Sequence, residues 1–362
     1  MQAEFNQPSR RLTFSHPEMP DTYIQGGVAW VSYRRQGNGK LYRVYLTGQG
    51  CSIHEGQVTD VHGTGRQQII HYPVNSDGIE LTYRINAYEQ QPFLLLQLSL
   101  CNLSREPIYP KEMCLFEAAS SADGCVQLSK PVGGLCFFKV GWHGWGYAGL
   151  RHYEEYNTSS KLGFLTDSSY TNPVTAKPRG RGRFWSEGWG ILADGWVAML
   201  AGFVSTAHQF GQVYACTRPG QETLMLITQA DEVRLDPGET CASEWGYLQY
   251  VPLPNPEPAA DFVMAVARQM QARVPAAPPP PMWTHWYHFY HNISEQLFLQ
   301  NLDALTEVRK DIPYQVVELD DGYQSAWGDW TTTNSKFPHG LAQLAADITL
   351  KGFTPGLEET GR

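Results

Sequence analysis

Charged side chains are scarce in this sequence, and basic ones are scarcer than acidic ones. Only 17% of the 362 residues are charged, and 27 basic residues against 36 acidic ones give a formal net charge of -9. Such a chain lacks the positive field that attracts nucleic acid or an anionic membrane surface. We therefore expect no nucleic-acid partner, and a neutral or weakly polar ligand fits better.

The sequence also lacks the patterns that mark secretion, membrane insertion and disulfide or metal binding by cysteine. No run of about 18 apolar residues occurs, and the first residues, MQAEFNQP, do not combine a basic segment with an apolar core. The seven cysteines are an odd number, show no CxxC spacing and are absent from the last third of the chain. They indicate free thiols in a reducing compartment. We therefore expect no membrane association and a cytoplasmic location.

Aromatic residues, glycine and proline are plentiful by contrast. Aromatics make up 12% of the chain beside 34 glycines and 24 prolines, which is typical of many short elements joined by turns. From about residue 22 to 252, apolar or alternating runs the length of strands are bounded by Gly, Asn, Asp or Pro, for example residues 41–46, 92–100 and 196–204. Many strands with no helical period between them predict a β-sandwich.

The period of the apolar residues changes after the sandwich. In residues 258–273, Phe262, Val266 and Met270 recur every four residues and predict a helix that packs against the sandwich. The run AAPPPP that ends at Pro281 predicts a stiff polyproline spacer. We therefore divide the chain into a sandwich domain at 1–254, a helix and proline-rich linker at 255–281, and a second domain at 282–362.

The second domain alternates predicted strands and helices. Residues 283–290 are aromatic and are predicted to be extended, and Ser294 is placed to cap the helix that follows. The apolar residues of that helix are Leu297, Leu302, Leu305 and Val308. Residues 314–319 predict a strand, 341–350 a helix and 353–357 another strand. This alternation predicts a parallel sheet.

Two adjacent carboxylates, Asp320 and Asp321, follow the predicted strand 314–319 within the run ELDDGYQSAWGDW. Carboxylates accept hydrogen bonds from neighbouring hydroxyls, and aromatic faces can cover the C–H face of a pyranose. Paired acids beside indoles therefore indicate a carbohydrate site. The alternative is an Asp-Gly turn whose acids are merely solvated, since both residue types are common in turns.

Three histidines in the aromatic segment suggest a metal site. His285, His288 and His291 recur every three residues. On an extended segment His288 points away from the other two, whereas zinc requires three or four converging ligands. We expect no metal there and no cofactor elsewhere.

Several ordered motifs resemble the α-galactosidases of glycoside hydrolase family 36. Those that resemble the opening of that family's catalytic barrel are WTHWYHFY at 283–290, LDDGYQ at 319–324, GDW at 328–330 and KFPHGL at 336–341. Those that resemble its sandwich are the tryptophan-rich loop VGWHGWGYAG at 140–149 and the strand pair RGRFWS at 181–186 and WGIL at 189–192. The likeness runs from roughly residue 20 to 357.

The resemblance implies a retaining α-galactosidase with an N-terminal β-supersandwich, a (β/α)8 barrel and a small C-terminal β domain, acting on α-galactoside oligosaccharides. It implies that Asp320 and Asp321 bind hydroxyls of the terminal galactose, and that Trp286 and Tyr287 line the same subsite. Trp330 is expected to form another wall. The carboxyl ends of strands are the ligand face of a parallel barrel, which agrees with this assignment.

Because some members of the family are oligomers, the same resemblance leads us to expect a homo-oligomer. In oligomeric members of the family, Trp142 or Trp145 of the tryptophan-rich loop would reach a site on a neighbouring subunit.

The predicted barrel departs from the family pattern in its length. About 80 residues remain from Trp283 onward, against ~250 for a complete barrel. The family's nucleophile follows the fourth strand and its acid/base residue the sixth, so both are expected beyond Arg362. The predicted chain is thus a supersandwich followed by the truncated start of a (β/α)8 barrel, a fragment that does not hydrolyse galactosides by itself. Two alternatives remain: a non-catalytic carbohydrate-binding or assembly module, and a parent enzyme like the raffinose synthases, which transfers galactosyl groups.

Overall fold

The structure is a computed structural model of the chain. It describes residues 1–6, 9, 11–35, 39–46, 50–129, 134–142, 146–158, 180–273 and 275–358. These residues form two compact units, Met1–Arg273 and Val274–Arg362, called unit 1 and unit 2 below.

Unit 1 is built from strands, of which its described residues contain nineteen. In chain order they are β1 (Gln2–Asn6), β2 (Arg11–His16), β3 (Met19–Arg35), β4 (Leu41–Tyr45), β5 (Ser52–Asp60), β6 (Gly63–Tyr72), β7 (Ile79–Tyr88), β8 (Leu94–Asn102), β9 (Ile108–Ala119), β10 (Cys125–Gln127), β11 (Cys136–Lys139), β12 (Gly149–His152), β13 (Arg183–Glu187), β14 (Trp189–Ala193), β15 (Val197–Phe203), β16 (Phe210–Cys216), β17 (Thr223–Gln229), β18 (Thr240–Ala242) and β19 (Gly246–Pro252).

These strands form two sheets. One has the order β1-β2-β3-β9-β17-β16-β13, with β4 and β10 also paired to β3, and the other has the order β12-β11-β14-β15-β19-β8-β7-β6-β5, with β18 paired to β8. Both sheets contribute to one hydrophobic core, for example through Phe116 of β9 and Leu96 of β8. The Tyr83 hydroxyl of β7 donates to the Leu115 carbonyl oxygen of β9 at 2.8 Å. The β-sandwich predicted for the first part of the chain is confirmed.

The burial of each strand explains its sequence pattern. Strand β7 buries Ile79, Leu81 and Tyr83 and leaves the residues between them half-buried, because one face of the sheet meets the core. Strand β8 buries side chains on both faces. Leu96 enters the core between the sheets, whereas Leu95 packs in a second cluster on the opposite face. The consecutive leucines at 94–96 therefore serve two separate clusters.

The second face of β8 is covered by helix α1 (Ala260–Gln269). Phe262 of this helix packs against Tyr247 and Trp189, with ring centroids 5.2 and 5.7 Å apart. The predicted packing of a helix on the sandwich is confirmed. The helix is shorter than the predicted 258–273, because Gln271 adopts a left-handed backbone conformation with φ of 50° that ends the turn.

Unit 2 contains a parallel sheet, three α-helices and the short 3-10 helix Tyr290–Asn292 in its described residues. The strands, in their order across the sheet, are β20 (Met282–Thr284), β21 (Val316–Leu319) and β22 (Thr354–Leu357), and the helices are α2 (Trp286–Phe289), α3 (Glu295–Val308) and α4 (Gly340–Leu350). The predicted parallel sheet is confirmed. None of the helices in the described parts of the chain has the length and apolarity needed to cross a bilayer.

The prediction that residues 283–290 are extended is wrong. Only β20 is a strand, and its pairing with β21 stops at Thr284. The chain then turns into α2, where the His288 and Phe289 backbone amides donate to the His285 carbonyl oxygen at 3.2 and 3.1 Å. Once the neighbouring strand ends, the backbone groups of this segment bond locally instead.

Helix α3 begins as predicted. The Ser294 side chain accepts a hydrogen bond from the Leu297 backbone amide at 3.3 Å and so caps the helix. Its buried face consists of Phe298, Leu302 and Leu305. Val308, the last of the four apolar residues in the predicted helix pattern, is exposed.

Candidate functional site

The candidate site lies in unit 2, where two neighbouring parallel strands end at the same edge of the sheet. Thr284 is the last residue of β20 and pairs with Glu318 of β21. Asp320 and Asp321 follow β21 directly. Because parallel strands present their carboxyl ends together, side chains at these positions converge.

Asp320 is held by contacts from both strands. Its Oδ2 accepts a hydrogen bond from the Thr284 hydroxyl at 3.0 Å, and its Oδ1 accepts one from the Asp321 backbone amide at 2.7 Å. Its backbone is held as well, because the Asp320 nitrogen and carbonyl oxygen both lie 3.1 Å from His285 Nε2. The strand end is therefore pre-formed.

His285 is buried beneath this strand end. Its ring is 1% exposed and packs edge to face on Phe298 of α3, with centroids 6.3 Å apart. Burial lowers the pKa of His285, and its bond to the Asp320 backbone opposes that shift. The neutral imidazole of His285, which directly follows β20, therefore hydrogen-bonds to the backbone of Asp320, which directly follows β21.

Asp321 is 5% exposed, so the interpretation of a merely solvated turn does not apply to it. Its Oδ1 accepts a hydrogen bond from Gln324 Nε2, and its Oδ2 lies 3.4 Å from His291 Nδ1. Gln324 also accepts from the Gly322 backbone amide at 2.9 Å, so one amide side chain shapes the whole turn. Gly322 is required here, because its φ is 111° and a Cβ would lie 2.9 Å from the His291 Cα.

The rings of Trp286, Tyr290 and His291 form an aromatic cluster next to Asp321. The Trp286 ring meets the His291 ring edge to face at 5.0 Å and the Tyr290 ring at 5.3 Å. His291 thus contacts both Trp286 and Asp321.

The other predicted aromatic residues lie in different surroundings. Tyr287 is 81% exposed. Trp330 packs partly against the core of unit 2 and meets Trp327 edge to face at 5.8 Å. Trp145 lies outside the described residues. Trp142 belongs to unit 1, where it packs on Phe210 with centroids 4.8 Å apart.

The charge at the site is mainly negative. Burial, followed by the charge of Asp320, raises the pKa of Glu318 and of Glu358 above the usual range. Lys336 donates from Nζ to the His291 carbonyl oxygen, and partial burial lowers its pKa against the opposing charge of Asp321. In the parts of the chain that the structure describes, no three His, Cys, Asp or Glu side chains converge in a way that would hold a metal ion.

The sequence did not reveal the residues that hold the two aspartates. The spacing of His285 and His291 suggests only a metal site, and no sequence pattern points to Thr284 or Gln324. Gln324 lies inside the LDDGYQ motif, and an amide three residues after an acid could have signalled a side-chain bond across a turn. The contacts of His285 join residues 35 positions apart, so only the folded chain shows them.

The fold of the chain, an antiparallel two-sheet sandwich followed by a parallel β/α unit, is similar to that of solved α-galactosidases. The chain matches no family model. Solved structures with this fold include the family 36 α-galactosidase AgaA from Geobacillus stearothermophilus (TM-score 0.52, 13% identity) and the α-galactosidase from Lactobacillus brevis (TM-score 0.53, 13% identity), and each match covers 90% of this chain. A third is the galactosidase domain of the α-galactosidase–sucrose kinase AgaSK (TM-score 0.54, 12% identity), where the match covers 98% of this chain. The resemblance to family 36 is thereby confirmed for the fold.

The chain spans about half the length of the structures that it matches. The share of the other chain covered is 45% for the Geobacillus enzyme, 43% for the Lactobacillus enzyme and 57% for the galactosidase domain of AgaSK. At identities of 12 to 14% these matches concern the fold alone.

Proposed function

We propose that this chain carries the galactose-binding part of a retaining α-galactosidase, and that its (β/α)8 barrel begins at residue 282. The observation that carries the proposal is the placement of Asp320 and Asp321 at a parallel strand end beside Trp286. AgaA variants have been crystallised with raffinose and with stachyose. We propose the same class of ligand, oligosaccharides with a terminal α-linked galactose.

In this proposal the two aspartates bind sugar hydroxyls and do not attack the anomeric carbon. Retaining hydrolysis needs two carboxyl groups about 5 to 5.5 Å apart, on opposite sides of the scissile bond. Asp320 and Asp321 are sequence neighbours in one turn, and both accept hydrogen bonds from protein groups already. Carboxylates fixed in this way are suited to selecting one arrangement of hydroxyls.

Trp286 is proposed to cover the apolar face of the bound galactose. Its ring is fixed by Tyr290 and His291 and is only partly buried. Tyr287 and Trp330 are proposed to line the same subsite from further out. The larger share of binding specificity would then come from the acids, because hydrogen bonds distinguish galactose from its epimers and stacking does so less well.

Calorimetric titration of the 362-residue chain with methyl α-galactoside and methyl α-glucoside tests the proposal. We expect the galactoside to bind more tightly, and D320N and D321N each to weaken its binding by roughly tenfold or more, the scale of a lost hydrogen bond to a charged group. D311N is the matched control, because Asp311 is an exposed acid of the same unit. Equal binding by D320N, D321N and the unchanged chain would show that the acids are not the sugar site.

A chromogenic α-galactoside separates binding from catalysis. We expect the chain to bind it without releasing the chromophore. Release of the chromophore by the unchanged chain would contradict the expectation that it binds the galactoside without hydrolysing it.

A further inference from the structure

Trp327 is a large apolar side chain held in solvent on a short loop directly after the acid turn. It is 71% exposed, and it lies in the segment 325–333, which follows Gln324. We propose that Trp327 is a stacking platform for a second sugar ring, the one linked to the galactose that Asp320 and Asp321 bind. This inference rests on the proposed function and extends it to the rest of the oligosaccharide.

The loop that carries Trp327 is closed on itself by hydrogen bonds. The Ser325 backbone amide donates to the Thr332 carbonyl oxygen at 2.8 Å. The Asp329 carboxylate accepts from the hydroxyls of Ser325 and Thr332 at 2.6 and 2.9 Å, and these two bonds lower the pKa of Asp329. A platform fixed in this way loses little conformational freedom when a ligand binds.

The indole itself is supported from one side. Trp330 packs partly on the core of unit 2, and its ring meets that of Trp327 at 5.8 Å with an interplanar angle of 81°. Edge-to-face contacts of this kind are favourable. Trp330 is thus anchored in the core and supports one edge of the Trp327 ring, while most of the Trp327 surface stays available to a ligand.

Both ends of the loop are tied to the turn that holds the acids. Gln324 donates to Asp321 at the start of the loop. At its end, Asn334 Nδ2 donates to the carbonyl oxygens of Gly322 and Gln324 at 2.9 and 3.1 Å. The loop that carries Trp327 and the turn that carries the two acids are therefore held together by hydrogen bonds at both ends of the loop.

The chemistry of the loop suits a neutral polyhydroxylated ligand. Residues 325–333, SAWGDWTTT, offer hydroxyls and contain neither lysine nor arginine. A phosphate or nucleic-acid ligand would require basic side chains here. A sugar ring presents an apolar C–H face that can stack on the exposed indole of Trp327.

Titration of the same chain with methyl α-galactoside and with raffinose tests the inference, because only raffinose carries a second ring. We expect W327A to weaken raffinose binding by roughly fivefold or more while methyl α-galactoside binding stays unchanged. W327F should retain part of the raffinose affinity. W196A is the matched control, because Trp196 is 64% exposed but lies in unit 1.

The outcomes separate this inference from the proposed function. Normal galactoside binding with equal raffinose affinity in W327A and the unchanged chain would overturn the platform alone. Failure of the unchanged chain to bind either sugar would overturn both. If W327A abolished self-association in sedimentation experiments and left sugar binding intact, Trp327 would be a protein contact and the inference would be wrong.

Discussion

His285 Nε2 lies 3.1 Å from both the backbone nitrogen and the carbonyl oxygen of Asp320. In one tautomer the ring accepts from the amide, and in the other it donates to the carbonyl oxygen. Either bond fixes the main chain from which the first of the two acids projects. The geometry of the proposed sugar site thus depends on a buried side chain from the neighbouring strand.

Replacing His285 should therefore affect stability and sugar binding together. We expect H285A to lower the free energy of unfolding by about 1 to 3 kcal/mol, the cost of leaving a buried backbone group without its partner. H285Q should recover part of both properties, since its amide can donate or accept. Urea unfolding followed by tryptophan fluorescence, with calorimetry for methyl α-galactoside, measures the two effects. The control is H288A, at an exposed position of α2, and an unchanged unfolding midpoint in H285A would contradict this role.

A buried lysine in unit 1 should make stability depend on pH in the alkaline range. Lys139 donates from Nζ to Asn157 Oδ1 at 2.7 Å and to the Thr158 carbonyl oxygen at 2.9 Å, and burial lowers its pKa from 10.5 to about 8. Between pH 8 and 10.5 the unfolded chain binds more protons at this position than the folded chain does, so folding becomes more favourable as the pH rises. The gain should be on the order of 3 kcal/mol, since each pKa unit corresponds to about 1.4 kcal/mol.

Urea unfolding at pH 7.5, 9 and 10.5 measures this contribution. In K139M the contribution of Lys139 should vanish, so the free energy of unfolding of the unchanged chain should rise relative to that of K139M between pH 7.5 and 10.5. Buried cysteines and tyrosines with raised pKa values act in the opposite direction, but both chains share them. K310M, which removes an exposed lysine of unit 2, should keep the pH dependence of the unchanged chain. Identical slopes in K139M and the unchanged chain would show that Lys139 is not the responsible group.

The docking of α1 on the sandwich should depend on Phe262. This side chain is 5% exposed and contacts Tyr247 and Trp189. We expect F262A to destabilise the chain by about 3 to 5 kcal/mol, the usual cost of a cavity left by a buried phenylalanine. V263A, at the adjacent position that is 59% exposed, should stay within about 0.5 kcal/mol of the unchanged chain. Hydrogen exchange of the α1 amides should rise in F262A only, and equal exchange in both variants would refute the docking role.

The cap of α3 should contribute a smaller and more local amount. S294A removes the hydroxyl that accepts from the Leu297 amide and should cost about 1 kcal/mol. S335A changes an exposed serine of the same unit and serves as the control. Hydrogen exchange in the first turn of α3 measures the effect. Faster exchange throughout unit 2, instead of in that turn, would show that Ser294 acts in some other way.

Much of the fold could be predicted because local pattern and burial agree. Strand β7 alternates since it faces one core, and Ser294 caps α3 through a contact three residues away. The error at residues 283–290 has a different origin. Aromatic residues favour strands, but a strand continues only where a neighbouring strand offers partners, and β21 ends too early for that.

The candidate site could be predicted in part for a similar reason. Asp320 and Asp321 are adjacent in sequence and follow a recognisable strand, so the pair can be read directly. Their supports come from elsewhere: Thr284 and His285 from β20 and its end, and His291 from the turn after α2. Such contacts depend on the parallel pairing of distant segments, which residue spacing alone does not encode.

The side-chain amide of Gln324 donates to one group and accepts from another in the turn formed by residues 321–324. Its nitrogen faces Asp321 and its oxygen faces the Gly322 amide. Exchange of that nitrogen for oxygen, as in Q324E, would preserve the shape of the turn but set two carboxylates against each other. At neutral pH the pair would repel and open the loop, and in mild acid a shared proton would close it again. One isosteric replacement would thus make the shape of the proposed sugar site depend on pH.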